Sequence, residues 1–594
     1  MILGKSIGIL KKLCEKGLIS ATDLHLAEFL TSFESNLQES EKTLLAILTA
    51  LVSESVSNGN ICLTAEEAAE FIKNDDETLE IFPGIDVETI KSVLSKSSCC
   101  TGNPGSEAKP LVFLNGKIYF YKYWLYENSL AGKMVAISEE TGRYSGSADR
   151  IEEIFAGLFD ESSSEQHASA TNAVRHRFSL ITGGPGTGKT TIVAKILVGI
   201  LTLFPEERIM LAAPTGKASA RMSEALKNAT GRIRHLPGVT DDNILDKIDT
   251  LEGTTVHRML EWKFGSFSRN SGNPLAADLV IIDEAGMLDI TLFTLLLDAL
   301  GKETSLVLLG DRNQLASVGA GNVLSDICNA AEKNLLPPEI TAKLEKSYRF
   351  KSDSGIMELA KAINSRENAK KVIEICNTKN DCAWIEIENG TLPESIIKDA
   401  AERYGFLFNK DSKPAEILGK LNDFKVLCPS KEDSLGVAEL NRKIEEKLGK
   451  TSENSFYDGM PVMVTQNDYA NGIMNGDCGV ILERNGRKLA WFMIGNKPKS
   501  FNIPTLKAFE TVYAMTVHKS QGSEYDSVLV VLPENEMPIL TKQLLYTAVT
   551  RAKKEVRIAA KENVLEYTLQ KSAERNSGFE EALEKITVLS ESDR

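Results

Sequence analysis

Cysteine pairs at metal or redox spacing are missing from this chain. Nine Cys are scattered through 594 residues, at 14, 62, 99, 100, 328, 376, 382, 428 and 478. No C-x-x-C pair and no Cys/His cluster occurs among them. Zinc, iron–sulfur and disulfide frameworks therefore do not organise the fold, and reduced thiols are the expectation. Cys99-Cys100 reads as two small buried apolar side chains. Long apolar runs are missing as well. The best candidate, 192–204 (IVAKILVGILTLF), carries Lys195 and falls short of the about 18 residues that a span requires. The opening MILGKSIGILKKLCEKG has no long apolar core and no small-residue cleavage site. A cytoplasmic chain without membrane association is expected. Net positive charge is also absent: 68 Lys and Arg against 83 Asp and Glu leave −15. That argues against a nucleic-acid coat, but a basic groove can sit inside an acidic envelope.

What is present is an ordinary globular composition, 42% hydrophobic and 25% charged, long enough for about four domains. Residues 1–145 read as a mostly helical N-terminal domain, with apolar positions at helical spacing in HLAEFL, TLLAILTALVSESV and AEEAAEFI. KPLVFLNGKIYFYKYW alternates around Asn115-Gly116, a hairpin signal, and predicts an aromatic strand through Tyr119, Tyr121, Tyr123 and Trp124. DESSSE at 160–165 reads as a polar linker.

From there the pattern changes. Short apolar runs end in Gly, Pro or Asp and alternate with helical stretches: FSLIT, RIMLAA, LVIID and SLVLLGD, then FKVLCPS, SVLVVLP and EVRIAA. Such alternation predicts parallel sheets buried on both faces. The fold class is therefore α/β, with one unit over 165–345 and a second over 346–435 and 505–570. Between the halves of the second, 436–504 reads as a small β insertion. No short-period repeat occurs, and the tail 571–594 is polar and poorly specified.

The chemistry begins at Gly183-Gly184-Pro185-Gly186-Thr187-Gly188-Lys189-Thr190-Thr191, which follows a strand and opens a helix. Glycines let backbone N–H groups turn onto phosphate oxygens, and the helix N-terminus adds a positive dipole end. Lys189 reaches the β and γ phosphates of a nucleotide, and the Thr190 hydroxyl is placed to ligate Mg²⁺, which leaves kinase, GTPase, transporter ATPase and helicase open. LVIIDEAGM puts Asp283 and Glu284 at the end of an apolar strand. Asp283 suits the Mg²⁺ shell and Glu284 suits a base toward the attacking water. GDRNQLASVG adds Asp311 and Gln314 beyond a third strand, where Gln314 can reach the γ-phosphate or its water.

The remaining ordered motifs are APTGKASARM (213–222), TTVHRML (254–260), SYRF (347–350), AMTVHKSQGSEYD (514–526) and LLYTAVTRAKK (544–554). This set resembles the superfamily-one helicases, which implies two RecA-like cores clamping ATP. The resemblance implies that Arg349 and Arg551 reach the γ-phosphate from the second core and that Gln166 reads adenine. It places Thr215, Lys217, His257, Thr516 and His518 among DNA contacts. It also implies that the insertion is a small SH3-like barrel and that 258–276 forms a wedge. Together with GMPVMVTQNDYANGIMNGDCGVI, GKIYFYKYWLYE and ERNSGFEEAL, the motifs are similar to the RecD family, the alpha subunit of exodeoxyribonuclease V. Gly286 stands where Ser is common in that family.

That resemblance implies 5′ to 3′ movement on single-stranded DNA, action at duplex ends, and RecB-like and RecC-like partners docked on 1–145. A free-standing RecD-like helicase, which carries tandem helix–hairpin–helix units, is the alternative; here only Pro83-Gly84-Ile85-Asp86 hints at one such hairpin. No separate nuclease constellation is evident, so nuclease activity is expected from a partner. A non-enzymatic scaffold is disfavoured by the intact Lys189, Asp283, Glu284, Gln314, Arg349 and Arg551.

Overall fold

The computed structural model describes residues 3–592 other than 264, 351, 352, 389, 452–455, 469 and 496. Its centre is a six-stranded sheet in the spatial order Thr341–Leu344, Phe178–Gly183, Ser305–Gly310, Leu279–Ile282, Ile209–Ala213, Gly253–Thr255. Every neighbouring pair is parallel. Continuous apolar strands are needed because both faces are covered. Leu279 and Ile281 face the helix Lys189–Leu203, while Val280 and Ile282 face the helix Ile290–Asp298. A second parallel sheet runs Cys382–Glu386, Ala552–Ala560, Tyr525–Val531, Phe424–Cys428, Ala514–Thr516. Phosphate loops and switch residues gather at the carboxyl ends of such strands.

The insertion is a five-stranded antiparallel sheet, Lys497–Asn502, Arg487–Ile494, Cys478–Arg484, Met460–Val464, Phe509–Thr511. Its last strand lies beyond residue 504. The helix Val437–Lys447, at the start of the stretch read as β, packs on the second sheet through Leu440 and Ile444.

Several expectations are corrected. The hairpin turns at Asn115 and Gly116, with φ of 52° and 75°, the positive pair that a type I′ turn requires. Its second strand, however, stops at Phe120. Tyr121, Tyr123 and Trp124 lie on the helix Tyr121–Glu139, not on a strand. That helix packs on Ile290–Asp298 of the first core. DESSSE is no linker: a turn at Glu161–Ser163 leads directly into the helix Ser164–Arg175. The tail is not unspecified either. It contains the helix Phe579–Ser592, whose Phe579 and Leu583 are buried beside Tyr121–Glu139. Within 258–276, Trp262–Lys263 pairs with Ser266–Phe267 as a short hairpin, while Phe264 lies outside the described residues.

Cys99 and Cys100 are both buried, and burial pushes the Cys100 thiol up to about 12. Among the described residues, no helix is long and apolar enough to cross a membrane.

The C-terminal helix is testable through Leu583, which is fully buried. Leu583→Ala removes a side chain that the surrounding shell cannot fully refill, at a cost of about 2–5 kcal/mol. An earlier first transition in thermal unfolding is expected. An unchanged transition would mean the helix is not docked.

Candidate active site

The strand Phe178–Gly183 is buried along its whole length and delivers the chain into the glycine-rich turn. Gly186 and Gly188 take φ of 76° and 86°, a region closed to most side chains. A Cβ on Gly186 would collide with the Arg349 side chain, and one on Gly188 with the Gln166 amide. The turn is thus packed from outside by residues far away in sequence. Tyr348 N–H donates to Gly186 O at 2.8 Å, and Gln166 Nε2 donates to Thr187 O at 2.8 Å. Gln166 is buried against the turn.

Lys189 opens the next helix, and its Nζ donates to Gly183 O at 2.6 Å and Gly184 O at 3.2 Å. Thr187 Oγ1 donates to Gly184 O at 2.9 Å. The lysine therefore rests on backbone carbonyls across the mouth of the turn. Pro185, Thr190 and Thr191 line the same space.

Opposite stand the acids. Asp283 follows the strand Leu279–Ile282, and its carboxylate accepts from Glu284 N–H at 2.8 Å. Burial and the adjacent Glu284 carboxylate raise the Asp283 pKa, with Lys189 opposing. Two acids held this close are relieved by a bound cation, and Thr190 with Asp283 offers the hard oxygen donors that Mg²⁺ selects. Glu284 sits at φ 52°, a strained position for a non-glycine residue. Asp311 accepts from Gln314 Nε2 at 3.1 Å and from the Tyr546 hydroxyl at 2.9 Å. Burial raises its pKa also.

The second core supplies cations. Arg551 is buried and donates through Nε to Thr547 O at 3.2 Å and through Nη1 to Ser523 O at 3.1 Å. Arg349 Nη2 donates to Glu524 Oε1 at 2.6 Å, while its Nη1 is buried without a partner. Glu524 also pairs with Arg221 of the first core. Burial works against the Glu524 charge, but Arg221 and Arg349 hold its pKa down at about 2. Arg221, Glu524 and Tyr546 were not singled out from sequence. They lie inside the quoted motifs, but only the fold joins them. The resulting cleft is about 770 Å³ and is lined by Gln166, Lys189, Thr190, Asp283, Glu284, Gln314, Arg349 and Arg551.

The five nucleic-acid candidates lie on several elements of the two cores. Thr215 caps the helix Gly216–Ile233, accepting from Ala218 N–H at 3.2 Å. Lys217 Nζ donates to Gly476 O of the insertion at 3.2 Å. Thr516 accepts from Lys519 N–H at 3.3 Å and shares a turn with His518. Burial, then Arg575, lower the His518 pKa. His257 is exposed, its ring 5.8 Å from Phe267 of the short hairpin.

Gly186→Ala is expected to force apart the turn and the Arg349 segment, a strain of about 1–3 kcal/mol. ATPase turnover should fall about tenfold or more with circular dichroism unchanged. Wild-type turnover would show that this packing is not used.

Comparison with known proteins accords with this geometry. The family described as "AAA domain" matches residues 166–320, the UvrD-like helicase C-terminal domain 511–559, and the N-terminal domain of "RecBCD enzyme subunit RecD" 15–119. The "RecBCD enzyme subunit RecD" of Haemophilus influenzae is 30% identical, covering 98% of this chain and 100% of its own. The protein of that description from Mycolicibacterium smegmatis is 32% identical, covering 96% and 98%. The "ATP-dependent RecD2 DNA helicase" of Deinococcus radiodurans is 30% identical but covers 66% of this chain and only 48% of its own length. The free-standing alternative is therefore the poorer match. With a phosphate loop, two parallel-sheet cores and near end-to-end similarity, the chain is an ATP-dependent helicase and belongs to the RecD family.

Proposed function

We propose that the chain is a DNA-stimulated ATPase that moves 5′ to 3′ on single-stranded DNA, entering at duplex ends, as the helicase subunit of a RecBCD-type complex. The observation that supports the ATP chemistry best is the buried, unpartnered Nη1 of Arg349, a residue that lines the cleft and packs against Gly186 of the phosphate turn. A guanidinium left with a free donor in such a place awaits an anion.

On this reading the first core holds the triphosphate. Lys189 exchanges the carbonyls of Gly183 and Gly184 for phosphate oxygens, with the backbone N–H groups of Gly186 to Thr191 around them and Gly183, Gly184 and Pro185 shaping the turn. Thr190 and Asp283 would hold Mg²⁺, which when bound neutralises phosphate charge. Glu284 takes the proton of the attacking water, and Gln314 orients that water. Arg349 and Arg551 neutralise the charge that develops on the transferring group. Because they come from the second core, hydrolysis requires closure, and reopening resets the grip on DNA. Gln166, held against Thr187, is assigned to adenine.

For DNA we assign Thr215, Lys217, His257, Thr516 and His518, with Trp262 and Phe267 of the exposed hairpin as a wedge. The Trp262 and Phe267 rings lie 4.5 Å apart, and Trp262 is half exposed. Such rings can stack on a base. The assignment divides the chain into a partner-docking N-terminal domain (1–145), a first core (165–345), a second core (346–435 and 505–570), a β insertion (436–504) and a tail (571–594). RecB-like and RecC-like partners are assigned to the N-terminal domain. There Phe29 and Phe33 are 64% and 63% exposed with rings 5.0 Å apart. Paired exposed aromatics are the usual anchors of an interface. A cytoplasmic location follows from this role.

Lys189→Ala should lower DNA-stimulated ATPase by about 10³-fold with the fold intact. Glu284→Gln should retain ATP binding and lose turnover. Activity of Lys189→Ala within about threefold of wild type would sink the site.

Polarity gives the second test. A partial duplex with a 5′ single-stranded tail should be unwound and one with a 3′ tail should not, at several salt concentrations because backbone contacts weaken with ionic strength. Equal or reversed preference would overturn the directional assignment.

A further inference from the structure

We infer that Arg575, in the C-terminal segment outside both sheets, is a positioning residue for ATP turnover, acting through the loop that carries Asp311 and Gln314. The inference rests on the proposed role of Gln314.

The loop joins the strand Ser305–Gly310 to the helix Val323–Glu332. Its front end is the cleft wall, where Gln314 and Tyr546 both bond Asp311. Its middle touches the second core: Leu315 N–H donates to Thr547 Oγ1 at 2.9 Å, and Gln521 Nε2 donates to Leu315 O at 3.2 Å. Its rear is tied within the first core by Ser317 Oγ, which donates to Gly319 O at 3.0 Å and Gly321 O at 3.1 Å, and by Ala320 O, which accepts from Ile290 N–H at 3.0 Å. Ser317, Gly319 and Gly321 have small side chains or none, and Val318 at the apex is 82% exposed.

One guanidinium ties that stretch to the C-terminal segment. Arg575 Nη1 donates to Ser317 Oγ at 3.1 Å, Gly319 O at 2.7 Å and Gly321 O at 2.7 Å. Its Nη2 donates to Ser317 O at 2.5 Å. Four acceptors on five consecutive residues are thus gathered by one planar, permanently charged group, a task a lysine cannot copy. Gly59, at φ 91°, lets the guanidinium lie against the backbone; a Cβ there would meet it. Gly321 N–H donates to Gly59 O at 2.8 Å, closing the stack from the N-terminal module.

The flanking residues show why the arginine cannot drift. Before it, Ala573 N–H donates to Gln543 Oε1 at 2.9 Å on the second core. After it, Asn576 N–H donates to Asn60 Oδ1 at 2.8 Å, and Ile61 N–H donates to Asn576 O at 2.9 Å. Gly578 N–H donates to the buried Glu127 at 2.8 Å. Six residues therefore touch the second core, the catalytic loop and the N-terminal module in turn. Gln314 is held at its front by Asp311 and at its rear by this segment.

The test uses the full-length chain. Arg575→Ala should lower kcat for DNA-stimulated ATPase about tenfold and leave KM for ATP within about twofold, because Gln314 acts on the transferring group rather than on nucleotide affinity. Guanidinium ion at low millimolar concentration should restore part of the lost kcat and do nothing for Lys189→Ala. The double variant Arg575→Ala, Gln314→Ala should be no slower than Gln314→Ala alone, as expected when one residue acts through the other. Unchanged kcat, no rescue, or additive losses in the double variant would overturn the inference. Should the alanine variant not fold, Arg575→Lys carries the same kcat, KM and double-variant criteria. A Gln314→Ala variant with wild-type kcat would instead remove Gln314 from the proposed site; Arg575 is then judged on its own kcat and rescue.

Discussion

A triphosphate can be bound and cleaved only where several positive charges converge, and those charges repel one another until it arrives. Here they are drawn from two sheets and parked separately. Lys189 rests on Gly183 and Gly184 carbonyls, Arg551 on Thr547 and Ser523 carbonyls, and Arg349 on Glu524. Carbonyl dipoles hold a cation without cancelling its charge, so the lysine remains available to a stronger anion. Glu524 does cancel charge, but it is shared between Arg221 and Arg349 and leaves Arg349 Nη1 free. Since Arg221 belongs to the first core, the same carboxylate that parks the second core's arginine also links the two cores across the cleft.

Keeping those charges in register is the work of packing. The first sheet buries alternate residues of the same strands on opposite sides. One side is covered by the phosphate-loop helix and its neighbours. The other is covered in part by Tyr121–Glu139, from before the motor, and by Phe579–Ser592, from after it. The motor sequence alone does not close its own core. Cores at interior density transmit displacement rather than absorbing it. A shift of the strand ends beneath Asp283 and Asp311 must therefore be felt by helices that lie at the two ends of the chain.

The motor was legible in the sequence because its signals are local. A glycine-rich turn between strand and helix, acids at the end of an apolar run and a parallel-sheet rhythm each sit within about a dozen residues. The hairpin at Asn115-Gly116 was legible for the same reason. The segment after the hairpin was not: aromatics at 121, 123 and 124 continue the strand's alternation, yet they form a helix because their partners are Ile290–Asp298 and the C-terminal helix. DESSSE misled in the same way: its polarity looks solvated, but it forms a turn that leads into the helix Ser164–Arg175. The polar tail hid a helix because three buried residues, Phe579, Ala582 and Leu583, are enough to seat its start. Glu524 could be read as part of a motif, but its two arginines are brought to it only by the fold.

The tail also changes what the N-terminal module can mean. Gly59 and Asn60 end a long helix of that module, and they meet Arg575 and Asn576 directly. Gly321 closes the contact from the catalytic loop. A glycine is required at 59 because the backbone there takes φ 91° and a guanidinium occupies the space of a Cβ. A partner that bound the module and moved this helix end would press on a charged group tied to the Gln314 loop. The coupling is reciprocal by thermodynamic necessity: whatever changes the loop on binding nucleotide changes the module's affinity for the partner by the same factor. The contact of Gly59 and Asn60 with Arg575 and Asn576 is what would carry such a coupling from the module to the loop.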